Sequence, residues 1–271
     1  MANLTLCIWQ PQVKAVTASV SERMAALDAA AKTASTAQAQ LLITPEMYAA
    51  GYNIGAVRIA ESAERLQGSI LTQAADIAKH YGIALLLGFP ELAEDGRIYN
   101  SVAFVDEQGV LLNIYRKTHL YGDVDRTQFS AGQALGVPFK FQGWVLASAI
   151  CYDIEFPEVA RHYAQAGVDL LLVPTANMRP FDSVATRLVP ARAEENGLYV
   201  AYANYCGAEA EFDYCGLSCL CGPDGEAIAR AGRDDALIYG DVSQASLQST
   251  RQLSPYLQGI RPELYTTSVS N

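Results

Sequence analysis

The stretch from Val145 to Glu158, VLASAICYDIEFPE, decides how this chain is read. Its first six residues, Val145 to Ile150, are apolar and have the length of a buried strand. The strand runs directly into Cys151. Pro157 suits the first turn of a helix, where its missing N–H leaves no bond unmade. A thiol therefore sits at the carboxyl end of a buried strand, in a tight turn before a helix. Open α/β sheets bring ligand-binding and catalytic groups to that place. Backbone N–H groups beside the sulfur suit an oxyanion. The competing reading is a free cysteine packed in the core, and this stretch alone does not separate the two.

Outward from it, helices alternate with buried strands. Toward the N-terminus the reading gives a strand at Leu4 to Trp9 and an Ala-rich helix from a Ser19 or Ser21 cap to about Gln38. A short strand at Leu41 to Thr44 and a helix at Ile70 to Tyr81, stopped by Gly82, come next. A strand at Ile83 to Phe89 precedes a hairpin of Ile98 to Val105 with Val110 to Tyr115. Arg116 to Gly136 reads as irregular, the kind of long structured loop that carries function. A second hairpin pairs Val137 to Phe141 with Trp144 to Cys151.

Beyond Cys151 the pattern gives helices at Pro157 to Gln165 and about Ser183 to Asn196. Strands follow at Leu170 to Val173, Tyr199 to Tyr205, Leu217 to Cys221, Glu226 to Ala231 and Asp235 to Val242. No linker or low-complexity break interrupts them. The expectation is one α/β domain over residues 1–271, two packed sheets covered by helices. The tail, about 243–271, has no clear periodicity.

Composition narrows the function classes. The chain has 271 residues, 51% of them apolar and 18% charged, which is a globular profile. Its net charge is −10, and its Lys and Arg form no cluster larger than Arg116–Lys117. That argues against nucleic acid and anionic membranes as partners. The first residues lack the basic region and apolar core of a signal peptide, and no apolar run reaches the length of a membrane span. The expected location is the cytoplasm, where the six cysteines are thiols. Cys206, Cys215, Cys219 and Cys221 contain no CxxC pair and no nearby His, so structural zinc is poorly supported.

Glu46, Lys117 and Cys151 share one peculiarity: each follows a buried strand. If those strands are neighbours, a carboxylate, an ammonium and a thiol converge at one sheet edge. Together they suffice for acyl transfer, with a base, a charge that stabilises thiolate and oxyanion, and a nucleophile. Singly, Glu46 reads as a loop or capping carboxylate and Lys117 as a solvated charge.

TPEMYAAGYNIG around Glu46, YRKTHLYGD around Lys117 and ICYDIEFPE around Cys151 occur in this order. With LLVPTAN and ARAEENGLYVAYANYCG they give a chain that resembles the nitrilase superfamily of carbon–nitrogen hydrolases over nearly its whole length. GYNIG, VPTANM and RPELY resemble the bacterial aliphatic amidases of that superfamily, 5-aminopentanamidases among them.

The resemblance implies a four-layer αββα sandwich and a Glu-Lys-Cys triad that needs no cofactor and no metal. Glu46 is then the general base, Lys117 the oxyanion partner, Cys151 the nucleophile, and the N–H of Tyr152 the second oxyanion donor. Many members carry a Glu eight residues after the lysine. Here that position is Asp125, one methylene shorter, and Asp123 or Glu155 are its possible substitutes. The resemblance also implies a homodimer or larger homo-oligomer, with the tail as an extension packing on a partner subunit.

The expected reaction is hydrolysis of a small aliphatic carboxamide, 5-aminopentanamide foremost, by water through a cysteine thioester. Tyr52, Tyr121, Tyr152, Glu155 and Asn177 are the expected substrate contacts. An acidic rim of Asp153, Glu155, Asp182, Glu209, Glu211 and Asp213, with Tyr48, Tyr52 and Tyr121, is expected to receive the amine. Alternatives within the superfamily are a nitrilase, an ω-amidase or an N-carbamoyl amine or amino-acid hydrolase, with Arg179 and Arg187 as candidates for a substrate carboxylate. A papain-like Cys–His hydrolase has only His119 near the site and no matching motif. A relative that merely binds a metabolite conflicts with the intact triad.

Overall fold

Residues 3–265 are described by a computed structural model of the chain. Strand β1 (Asn3–Gln10) leads to helix α1 (Val20–Thr36), which opens on a capping box: the Ser19 hydroxyl accepts from the Glu22 N–H, and the Glu22 carboxylate accepts from the Ser19 N–H. Then come β2 (Leu41–Ile43), α2 (Ala56–Ser62), α3 (Ser69–Tyr81), β3 (Ala84–Leu92), β4 (Ile98–Val105), β5 (Leu111–Arg116) and the short α4 (Gly122–Arg126). The second half runs β6 (Phe139–Phe141), β7 (Trp144–Ser148), a 3₁₀ turn (Cys151–Glu155), α5 (Pro157–Gln165), β8 (Leu170–Pro174), a π turn (Val184–Leu188) and α6 (Val189–Asn196). It closes with β9 (Tyr199–Ala203), β10 (Cys206–Glu209), β11 (Phe212–Cys215), β12 (Cys219–Cys221), β13 (Ala227–Arg230), β14 (Ala236–Ser243) and α7 (Gln244–Leu253).

Two six-stranded sheets result, ordered β14-β1-β2-β3-β4-β5 and β13-β12-β9-β8-β7-β6. Each has three parallel strands at its centre, β1-β2-β3 and β7-β8-β9, and antiparallel strands toward its edges. The central strands are apolar without alternation because both their faces are covered. Leu6, Ile8, Ile43, Leu86 and Phe104 of the first sheet pack against Trp144, Leu146, Leu170, Leu172 and Tyr199 of the second. On the outer faces, α1 and α3 cover Leu42, Leu85 and Leu87, and α5 and α6 cover Ala147, Leu171 and Val200. The layers are αββα, as the resemblance implied.

The stretch beyond Tyr205, given no element from sequence, is a hairpin, β10 with β11. Two expectations change. The region after Arg116, read as irregular, contains α4. The start of the tail is α7, which packs on its own chain. Leu247 is buried there, and the Arg251 guanidinium donates to Asp169 Oδ1 (2.9 Å), the Gly197 carbonyl (2.8 Å) and the Val168 carbonyl (2.9 Å). The end of the tail, 266–271, lies outside the described residues. Among the described residues no helix is long and apolar enough to cross a membrane.

Candidate active site

Glu46 follows β2, Lys117 follows β5 and Cys151 follows β7. Their strands are not neighbours, contrary to the condition set from sequence: β2 and β5 are separated by β3 and β4, and β7 lies in the other sheet. The residues meet because the two sheets stack. The Glu46 N–H reaches across to the carbonyl of Thr175, just past β8 (3.3 Å). Gly88 of β3 makes this loop possible. A Cβ there would stand 2.5 Å from the Met47 nitrogen and 2.7 Å from the Pro45 carbonyl oxygen. Met47 and Cys151 both adopt left-handed backbone, φ 55° and 48°, which costs a non-glycine residue about 1 kcal/mol or more.

Lys117 is fully buried between two carboxylates. Its Nζ lies 2.7 Å from Glu46 Oε1 and 2.7 Å from Asp125 Oδ2. Asn100 Nδ2 donates to the same Glu46 oxygen (2.7 Å), and the Tyr121 N–H to the same Asp125 oxygen (2.7 Å). Among the described residues the other Glu46 oxygen, Oε2, is buried without a hydrogen-bond partner, and the buried Tyr52 hydroxyl lies against the Asp125 carboxylate. The Tyr52 ring faces the ammonium at 5.6 Å. Of the three carboxylates considered from sequence, Asp125 is the one in contact with Lys117, and neither Asp123 nor Glu155 pairs with it among the described residues.

Burial pushes the Glu46 carboxyl above the usual range, with Lys117 opposing and Asp125 adding to the rise. Burial works against the Lys117 ammonium, yet Glu46 and Asp125 raise it well above an ordinary lysine. Burial and the Glu46 charge push the Cys151 thiol well up, against Lys117, the Thr175 hydroxyl and the Ala176 N–H. Burial thus disfavours the thiolate at Cys151, while Lys117 favours it, as the sequence reading had it. Of the six cysteines, Cys151 alone is partly exposed. It opens the 3₁₀ turn, whose first N–H groups, that of Tyr152 included, have no partner within the turn.

Tyr52, Tyr121, Cys151, Tyr152, Glu155, Asn177, Met178 and Phe181 line a cavity of about 200 Å³. All five expected substrate contacts are in this set. Asn177 is already committed in part, its Nδ2 donating to the Phe181 carbonyl (3.0 Å). Tyr121 stacks edge-on against Tyr152 (5.4 Å) and Phe181 (6.2 Å).

The wider acidic rim is not there. Asp153 is buried and accepts from Tyr115 Oη (2.8 Å), Ile150 N (2.9 Å), Thr118 Oγ1 (2.9 Å), His119 N (2.9 Å) and His119 Nδ1 (2.8 Å). Glu209 is buried against Asn53 N and Tyr214 Oη. Asp182 pairs with Arg233, Asp213 with Arg179, and Glu211 is exposed. Tyr48 turns away, its hydroxyl on the Arg23 carbonyl. Arg187 is exposed, and neither it nor Arg179 lines the cavity. His119 lies in a neighbouring surface cavity, stacked 4.2 Å from Phe156.

Sequence reasoning missed Asn100, Met178 and Phe181. A polar residue inside the apolar strand IYNSVAFV was the available signal for Asn100.

The carbon–nitrogen hydrolase family model matches residues 5–252. A hydrolase encoded 5′ of pqqF in Pseudomonas protegens is 51% identical, over 84% of this chain and 80% of that protein. An (R)-stereoselective amidase from a Pseudomonas species is 34% identical over 82% and 79%. An amidase from Nesterenkonia sp. has the same fold, with a TM-score of 0.86 at 33% identity over 97% of this chain and 95% of that one. Variants of the amidase from Nesterenkonia sp. AN1 include one in complex with butyramide and one showing covalent addition of the acetamide moiety of fluoroacetamide at its active-site cysteine.

Proposed function

Since this chain belongs to the carbon–nitrogen hydrolase family and is an amidase of the nitrilase superfamily, we propose that it hydrolyses small aliphatic carboxamides through a thioester on Cys151. The observation that carries this reading is the buried Lys117 held between Glu46 and Asp125, with Glu46 Oε2 unpartnered among the described residues, beside a cavity lined by Cys151.

In the proposed cycle Glu46 Oε2 takes the thiol proton as Sγ attacks the amide carbon. A carboxyl raised by burial suits a base working near neutral pH. The carbonyl oxygen becomes an oxyanion between the Lys117 ammonium and the Tyr152 N–H, and such a donor typically contributes about 3 kcal/mol. Collapse breaks the C–N bond, and Glu46 returns the proton to the departing ammonia. Water, deprotonated by Glu46, then attacks the thioester and gives the acid and the free thiol. Asp125 holds Lys117, and its second oxygen accepts an amide N–H of the substrate. The cycle requires no cofactor.

For the acyl group we propose an aliphatic chain of the length of pentanamide, 5-aminopentanamide foremost. The small cavity, its aromatic walls and its single carboxylate support this. An ω-amidase or N-carbamoyl amino-acid hydrolase must hold a substrate carboxylate, and no Lys or Arg lines the cavity. We further propose that residues 1–271 form one domain working as a homo-oligomer in the cytoplasm. Exposed Leu253, Tyr256, Leu264 and Tyr265 in the tail support a subunit contact there.

The test is ammonia release from 5-aminopentanamide, pentanamide, butyramide, the matching nitriles and N-carbamoyl amines. Amides are expected to turn over, with a trapped acyl-enzyme mass on Cys151. Cys151→Ala should abolish both signals while keeping the native circular dichroism spectrum. Turnover by the alanine variant would remove the nucleophile assignment.

A further inference from the structure

Glu155 is the one charged side chain among the residues that line the Cys151 cavity. It closes the 3₁₀ turn that Cys151 opens. At about 2.0 Å per residue the two α-carbons are offset by roughly 8 Å along the turn. The Glu155 carbonyl is held by Arg192 Nη2 (2.8 Å), which fixes the backbone at this point. Its carboxylate, by contrast, takes part in no hydrogen bond or ion pair among the described residues. It is half-buried, and burial raises its pKa, with Lys117 and Arg192 opposing. The faces around it are aromatic: Tyr152 against Tyr121, and Tyr121 against Phe181.

A partly desolvated carboxylate without a partner is unfavourable unless a cation meets it. Aromatic faces beside it add attraction for a cation. The rest of the site does not supply that cation. Lys117 is held by Glu46 and Asp125, so even with Glu46 protonated the Lys117–Asp125 pair is neutral and Glu155 leaves the site negative.

We propose that Glu155, with Tyr121, Tyr152 and Phe181, is a cation subsite that selects amides bearing a terminal ammonium and rejects those bearing a terminal carboxylate. A chain of four methylenes between amide and ammonium is of the order of the roughly 8 Å offset of the two α-carbons along the turn. Glu155 is a specificity residue in this scheme and takes no part in bond making. The inference rests on the amidase reading and deepens it by naming the substrate class.

The experiment compares kcat/KM for 5-aminopentanamide, pentanamide and glutaric acid monoamide at pH 8. The native enzyme should prefer the amino-amide to pentanamide at least tenfold and act least on the monoamide. Glu155→Gln should erase that preference, lowering kcat/KM for the amino-amide at least tenfold more than for pentanamide, and Glu155→Lys should raise the monoamide above the amino-amide. A second measurement needs no variant: 1-aminopentane should inhibit pentanamide hydrolysis competitively, and pentanoate should inhibit far less.

Equal loss on all three substrates in Glu155→Gln would make Glu155 structural and overturn the subsite. So would native enzyme that favours pentanamide, or that is inhibited alike by the amine and the acid. In those cases the amidase reading stands. Failure of every amide to turn over or to acylate Cys151 would instead remove the amidase reading, and the subsite with it.

Discussion

Asp125 and Asp153 are both fully buried, and each lies beside a basic side chain, yet they are wired in opposite ways. Asp153 spreads five donors over its two oxygens. They come from Tyr115 at the end of β5, from Thr118 and His119 just past Lys117, and from Ile150 just before Cys151. Asp125 gathers the Lys117 ammonium and the Tyr121 N–H on one oxygen and has only the Tyr52 hydroxyl besides. Glu46 is wired like Asp125. A saturated carboxylate fastens chain segments together, and here it fastens the Lys117 segment to the Cys151 turn. A half-used one keeps acceptor capacity for something that is not protein.

The comparison can be broken first at Glu46. Glu46→Gln keeps the shape and the contact to Lys117 but removes the base. Steady-state kcat/KM on a turned-over amide should fall about a thousandfold, with the melting temperature nearly unchanged. A loss under tenfold would mean that the unpartnered oxygen is not the base.

Asp153→Asn should show the reverse. It replaces an acceptor by a donor facing N–H and O–H groups, so urea unfolding should show a loss of about 2–4 kcal/mol. Turnover per folded molecule should drop less than at Glu46. A large catalytic loss at unchanged stability would erase the distinction between the two kinds of carboxylate.

The smallest effect is at His119, and it sharpens the picture through pH. Its hydrogen bond to Asp153 raises its pKa above the ordinary histidine value, against partial burial. Between the unfolded value near 6.5 and the raised native one, the folded chain binds more protons than the unfolded chain. The stabilisation is complete below the lower value and is lost as pH rises through the upper one. His119→Gln should flatten that decline by about 1–2 °C in melting temperature between pH 6 and 9. An unchanged decline would mean that the His119–Asp153 contact carries no charge.

What was legible in the sequence follows the same division. LLI, ALLLGF and LLLVP read as buried strands because they are covered on both faces, and Glu46 and Cys151 read as chemistry because they follow such strands; Lys117 follows β5, an edge strand that is only partly buried. Asp153 did not read as a fastening, since four of its five donors come from a segment 34 to 38 residues earlier in the chain. The β10–β11 hairpin was illegible because its turn places Ala210, with φ 50°, where Gly or Asn would have signalled it. In α7, QASLQSTRQL buries only Leu247, so no periodicity existed to be read. Helix α2 is seven residues long with one buried side chain. The acidic rim failed for a different reason. Sequence counts carboxylates near a site but does not show which are already engaged by Arg179, Arg233 or Tyr214.

The left-handed backbone at Met47 and Cys151 has a consequence for engineering. Glycine would relax both turns, so the residues that flank and form the chemistry are positions where the molecule is less stable than its fold allows. A screen for thermostability alone is expected to drift toward replacements at 47 and 151 and return robust, inactive protein. Hardening this enzyme for use therefore means holding those two positions fixed and working at its periphery, for example at α7, which buries a single side chain, Leu247, and is held by Gln244 on the Gly143 carbonyl and by Arg251.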